Sequence, residues 1–215
     1  MKTLAVLSRK GGSGKTTVSA HLGAMADADG LKTLLVDTDP QRSLTDWWRT
    51  RAAETPVLIE GGSADLATIV RTAQGERFDL CLIDTMPATE GDAVKAAQVA
   101  SVALIVVRPS ILDLRAAAGT VAALKQTNTR GAFLLNAAPS ARGTFETAIV
   151  REAIEALGAY GLPVLSTILR NRQTFATALI DGQSANELEP NGRAAAEVKA
   201  LWREIGGKKW LNAQS

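Results

Sequence analysis

Residues 9–17 read Arg9-Lys10-Gly11-Gly12-Ser13-Gly14-Lys15-Thr16-Thr17, directly after the apolar run Leu4-Ala5-Val6-Leu7. A strand that runs into a glycine-rich turn and opens a helix at Gly-Lys-Thr is built to cradle phosphate. Its backbone N–H groups converge on phosphate oxygens, Lys15 reaches the β- and γ-phosphates, and the Thr16 hydroxyl is a ligand for Mg²⁺. The ligand predicted is a nucleoside triphosphate. Hydrolysis needs acids as well, and two apolar runs end in them. Val36-Asp37-Thr38-Asp39-Pro40-Gln41 sets two carboxylates two residues apart, on one face of a strand end. Phe78-Asp79-Leu80-Cys81-Leu82-Ile83-Asp84 ends in a carboxylate placed to hold Mg²⁺ directly or through water. Asp39-Pro40 is also a helix-start signal, and that use is compatible with catalysis. Asp79 reads as a solvated residue at the start of its strand.

These side chains meet only if the carboxyl ends of several strands lie side by side. The 215 residues suit one α/β domain spanning 1–215, and 46% hydrophobic content is enough for a core. Strands are predicted at 2–8, 32–37, 56–59, 79–84, 101–107, 131–136 and 163–168. Helices are predicted near 15–29, 41–53, 64–74, 91–99, 113–126, 144–157, 172–181 and 192–205. Runs such as Leu104-Ile105-Val106-Val107 are apolar without alternation, as parallel strands covered on both faces require. The alternation predicts a doubly wound, mainly parallel sheet with helices on both faces and a ligand at the strands' carboxyl ends. The lone Cys81 has no internal disulfide partner, and no run approaches the ~18 apolar residues of a membrane span. The chain opens on a strand, so no signal peptide and a cytoplasmic location are expected. Net charge is only +2, so any nucleic-acid contact must come from a local patch.

The strict motif Gly-x-x-x-x-Gly-Lys-Ser/Thr fails at its first glycine, where Arg9 stands, and a second lysine, Lys10, precedes Lys15 by five residues. This form resembles the deviant P-loop of the ParA and MinD family, which also holds the nitrogenase iron protein and the arsenite-pump ATPase. The resemblance implies an ATPase that uses ATP and Mg²⁺, with Lys10, Lys15 and Asp39 catalytic. Lys10 would cross a dimer interface to phosphates on the partner subunit, in the manner of an arginine finger, and Asp39 would position the attacking water. Gly11, Gly12, Ser13, Gly14, Lys15, Thr16 and Thr17 would surround the phosphates, and Thr16, Asp37 and Asp84 would serve the metal. Asn136, closing Phe133-Leu134-Leu135-Asn136, resembles the position that contacts the purine, with a turn-forming asparagine as the alternative. Family members usually show Asp-Thr-Pro-Pro where this chain has Asp84-Thr85-Met86-Pro87, so the segment that senses the γ-phosphate departs from the pattern. Arg108-Pro109-Ser110-Ile111-Leu112-Asp113-Leu114 resembles the loop at the dimer face of small ParA proteins. His21, the one histidine, is expected to pack rather than catalyse.

Within that family, one cysteine excludes a metal cluster or a multi-cysteine arsenite site, and Tyr160 as the one tyrosine excludes a tyrosine-kinase tail. Asp39-Pro40-Gln41-Arg42-Ser43-Leu44-Thr45-Asp46-Trp47 resembles the switch helix of small single-domain ParA proteins, and the helix-turn-helix extension of larger ones is missing. The resemblance then implies an ATP-dependent homodimer that binds DNA without sequence preference, associates with the nucleoid, and positions a plasmid, a chromosome region or a protein cargo. A ParB-like or other cargo adaptor would stimulate hydrolysis. Candidate DNA contacts are Arg170, Arg172, Arg193, Lys199 and Arg203, with Lys208 and Lys209 behind them; such contacts give affinity without base readout. The alternatives are a MinD-like membrane-associated regulator and a metabolic kinase or ligase of the same fold. The stripe Val198, Leu201, Trp202, Ile205 fits either a helix docked on the sheet or one that meets a membrane, and Gly206-Gly207, which stops the helix, favours docking.

Overall fold

The computed structural model describes residues 1–87, 90–141 and 145–206. The first strand, β1 (Lys2–Leu7), leads through the glycine loop into α1 (Lys15–Ala28). Then follow β2 (Thr33–Asp37), α2 (Ser43–Thr50), β3 (Val57–Glu60), α3 (Leu66–Gly75), β4 (Leu80–Asp84), α4 (Glu90–Val99), β5 (Val102–Val107), α5 (Ile111–Thr127) and β6 (Gly131–Leu135). The chain ends in the helices α6 (Ala148–Gly158), α7 (Gln173–Ile180), α8 (Ala185–Leu188) and α9 (Arg193–Glu204). All strand pairings are parallel, in the order β3-β2-β4-β1-β5-β6. The doubly wound expectation holds.

Alternating side chains divide each strand between two helical layers. Leu4, Val6, Leu35, Leu82 and Leu134 face α1, α2, α7 and α9, whose Leu22, Trp47, Phe175 and Trp202 complete that layer. Ala5, Leu7, Val36, Ile83 and Phe133 face α3 to α6. Helix ends follow local chemistry. The Ser110 hydroxyl accepts from the Asp113 N–H to open α5, and Asn128 closes it at φ 52.

One expectation needs correction. Residues 163–168 form no strand; they touch β6 through a single bridge, Phe133 to Val164. Proline at 163 has no N–H to give, and the N–H groups of Ser166 and Thr167 donate to the Glu204 carboxylate at 2.6 and 2.8 Å instead of to a ladder. The short α8, with its Ser184–Glu187 capping box, was not anticipated. The terminal stripe proves to be docked: Val198, Leu201 and Trp202 are buried, and the Trp202 indole N–H donates to Asp29 at 3.0 Å. Lys208, Lys209 and the fraying expected from Lys208 onward lie outside the described residues, as does residue 144, the predicted start of α6.

Candidate nucleotide site

The loop between β1 and α1 needs its glycines for two reasons. Gly12 and Gly14 have φ of +70° and +93°, a region that side chains strain to enter. A Cβ on Gly14 would also stand 2.1 Å from Asn136 Nδ2. That amide donates to the Ser13 carbonyl at 2.7 Å, so Asn136 is buried behind the loop and holds it up. The sequence offered Asn136 for purine contact or for a turn; its place in the structure is as a support of the phosphate loop.

Lys15 and Thr16 open α1 at the carboxyl edge of the sheet, where the first N–H groups of a helix have no partner within it. Lys15 is buried, and burial pulls its pKa down while Asp84 and Asp39 resist that shift. A buried ammonium with carboxylates nearby is primed to take an anion. In the sheet Asp37 and Asp84 are register partners at adjacent strand ends. The Thr16 hydroxyl donates to Asp84 Oδ2 at 2.8 Å and the Ser19 hydroxyl to Oδ1 at 3.0 Å. Burial nevertheless pushes the Asp84 carboxyl up to about 7.

Asp37 has a different occupation. Its Oδ1 accepts from the Asp39 N–H, and its Oδ2 from the N–H and hydroxyl of Thr45, at 2.8 to 3.0 Å. These bonds shape the turn carrying Asp39 and pin α2 to the sheet. Asp39 lines a cleft of about 700 Å³ together with Gly11, Gly12, Gly14, Lys15 and Thr16. Its carboxylate accepts from the Gln41 N–H at 2.9 Å within the turn before α2, and the N-cap of that helix is Arg42, without a side-chain cap. Asp39 thus shapes the turn and does not cap the helix, contrary to the helix-start expectation.

Thr16 and Asp84 give two hard oxygen donors side by side, which fits Mg²⁺. Among the described residues no group of three or more His, Cys, Asp or Glu is arranged to hold a metal. A magnesium ion here would therefore draw its other ligands from phosphate and water, as that ion prefers. Lys10 is exposed and stands outside the cleft lining. His21 packs as expected: its Nδ1 accepts from the Ala185 N–H at 3.2 Å, its ring lies 5.1 Å from Phe175, and burial holds its pKa at about 4.

The candidate DNA-binding cations differ in how much charge they leave free. Arg170 forks onto Glu146, and Arg172 gives Nε and Nη2 to Glu197. Among the described residues, Lys199 and Arg203 bond to backbone carbonyls, of Pro190 and Lys199, and to no acid. Sequence reading missed the seat of α2. Arg51, 4% exposed at its side chain, pairs with Glu187 and also donates to the Gly182 carbonyl, and the Trp47 indole N–H donates to the Gln183 carbonyl.

A family model described as the CobQ/CobB/MinD/ParA nucleotide binding domain matches residues 4–185. The chain is 30% identical over 208 residues to the maintenance of carboxysome distribution protein A of Halothiobacillus neapolitanus, across 94% of this chain and 95% of that one. Among solved structures, apo McdA of Cyanothece has a TM-score of 0.79 at 20% identity, covering 96% of this chain and 100% of its own. The septum site-determining protein MinD of Pyrococcus horikoshii, complexed with Mg-ADP, has a TM-score of 0.78 at 18% identity, covering 100% and 99%. At such identities the structural likeness speaks for the fold.

Proposed function

The chain belongs to the CobQ/CobB/MinD/ParA nucleotide-binding family, and from that premise we propose that it is a small ParA-type ATPase whose ATP-bound dimer binds DNA and positions a cargo. The observation that carries this reading is the junction of the glycine cradle, the Thr16–Asp84 bond and Asp39 in one cleft. Backbone N–H groups of residues 11–17 and the Lys15 ammonium bind and orient the triphosphate. Thr16 and Asp84 would hold Mg²⁺, which when bound neutralises charge on the phosphate oxygens. Asp39 orients a water in line with the γ-phosphorus; that water's oxygen forms the new P–O bond as the bond to the bridging oxygen breaks and ADP leaves. Asp37 acts on Asp39 by fixing its turn.

Lys10, free at the rim, completes the charge stabilisation from across a dimer interface, so that ATP holds two copies together and hydrolysis releases them. Of the cargoes left open by sequence, a protein assembly has the better support, because the likeness to a carboxysome-distribution protein runs along almost the full chain. Non-specific DNA contact falls to Lys199, Arg203 and Arg193 more than to the acid-paired Arg170 and Arg172. A membrane role has less support, since the apolar stripe of α9 is already buried on the sheet.

The reading is tested by light scattering and phosphate release on the purified chain. Wild type is expected to double its mass with ATP but not with ADP and to release phosphate slowly. Lys10→Ala is expected to bind ATP and stay monomeric; an ATP-dependent dimer of that variant would contradict the role given to Lys10.

A further inference from the structure

Two cations stand on the outer lip of the phosphate loop instead of in the cleft. Lys10 is one. The other is Arg108, from the turn between β5 and α5, which lies across the loop's first peptides. Its Nη2 is 3.5 Å from the Gly11 carbonyl, and a Cβ on Gly12 would meet it at 2.6 Å. The fold makes little use of this guanidinium. Its Nε is buried without a hydrogen bond. Asp113 is 3.9 Å away, and the facing Oδ1 is equally unbonded, while Oδ2 takes the Ser110 hydroxyl at 2.5 Å. The side chain is still 41% exposed. Of the five donors of this planar fork, one is spent on a long contact and the Nε donor is buried; the remaining Nη donors have no hydrogen-bond partner among the described residues. Beside it, at the start of α5, Ile111 and Leu112 are 67% and 62% exposed.

The cleft is different. Asp39 and Asp46 line it together with Lys15, whereas Lys10 and Arg108 do not, and a bound triphosphate carries more negative charge than Lys15 offsets, so that the filled mouth is anionic. A surface with cations on its rim, anions in its mouth and uncovered apolar side chains alongside is complementary to itself across a two-fold axis, rim meeting mouth twice. We propose that Arg108 reaches, with Lys10, the triphosphate bound by a second copy of this chain, with Ile111 and Leu112 covered in the same contact. The assignment rests on the ATPase reading above and extends it. Lys10 brings a point charge, whereas Arg108 brings a fork that grips two phosphate oxygens together. No covalent step is added; the fork stabilises charge that builds on the transferred phosphoryl group.

Mixing two inactive variants tests this. Arg108→Ala and Asp39→Ala are each expected to hydrolyse ATP far more slowly than wild type, since arginine donors of this kind are worth roughly 10³–10⁵ in rate. Both should bind ADP as wild type does. In an equimolar mixture half the dimers are mixed, and in each of these the site with an intact Asp39 receives Arg108 from its partner. Turnover should therefore recover to roughly a quarter of wild type, the statistical share of such sites in a two-fold dimer. No recovery, or wild-type turnover in Arg108→Ala alone, overturns the assignment. A wild-type chain that neither dimerises with ATP nor hydrolyses it overturns the ATPase reading together with this one, so the two failures are distinct. Should Arg108→Ala not fold, Arg108→Lys, which keeps the charge and loses the fork, takes its place in the mixture with the same recovery expected.

Discussion

Asp84 illustrates how one buried side chain serves ligand and fold at odds with each other. Its carboxyl, pushed up from 3.8 to about 7, is easier to ionise in the unfolded chain than in the folded one without ligand. The protonated form therefore favours the fold below about pH 4, and that advantage is lost as pH rises to about 7. His21 runs the opposite way: pulled down from 6.5 to about 4, it favours the fold above pH 6.5 and loses that as pH falls through 4. Because the windows overlap, the test is a difference. Urea unfolding of Asp84→Asn and wild type without nucleotide should show the variant gaining relative stability from about pH 4 to about pH 8. A pH-independent difference contradicts the assigned shift. Lys15→Ala removes the buried ammonium that an anion must meet; ATP and ADP affinity should both disappear in calorimetric titration, and retained binding would refute the cradle. Lys15 and Asp84 were legible from sequence because each belongs to a motif whose spacing is local. Asn136 was singled out too, but its bond to Ser13 was not foreseen, since that bond spans 123 positions and asparagine fits several uses.

At the scale of elements, the question is what keeps α2, and hence the Asp39 turn, in place. The sheet side is held by Asp37 to Thr45, and the far side by the α7–α8 turn through Trp47 and Arg51. Gly182 makes that far contact possible. Its φ is +65°, and a Cβ there would stand 2.5 Å from the backbone of Thr50 and Arg51. Gly182→Ala is therefore expected to cost about 1–3 kcal/mol of stability in urea unfolding and to weaken ATP binding as α2 shifts. Unchanged stability would mean that the turn yields without disturbing α2. None of this seat could be read from the sequence, because Arg51 and Glu187 are 136 positions apart and neither lies in a motif. By contrast the helices themselves were legible from their alternation with the apolar runs, as α5, predicted at 113–126 and found at Ile111–Thr127. The expected strand at 163–168 failed for a tertiary reason: Glu204 of α9 takes the backbone donors that a ladder would have used.

Across the whole molecule, the parallel order β3-β2-β4-β1-β5-β6 brings β1, β2 and β4 together, and with them the cradle and both strand-end acids. Their continuous apolar runs made that architecture readable, since only strands covered on both faces carry such runs. The surface was less readable. Composition gave a net charge of +2 and no way to see that Arg170 and Arg172 are matched by Glu146 and Glu197. Under the proposed function, affinity for DNA rests on the cations of α9 and on doubling them in a dimer. The most direct measurement of the central claim is binding of a random-sequence duplex with ATP, with ADP and without nucleotide, over a salt series. The account predicts binding only with ATP, falling steeply as salt rises because phosphate contacts release counterions. Equal binding in all three states, or none in any, would contradict it.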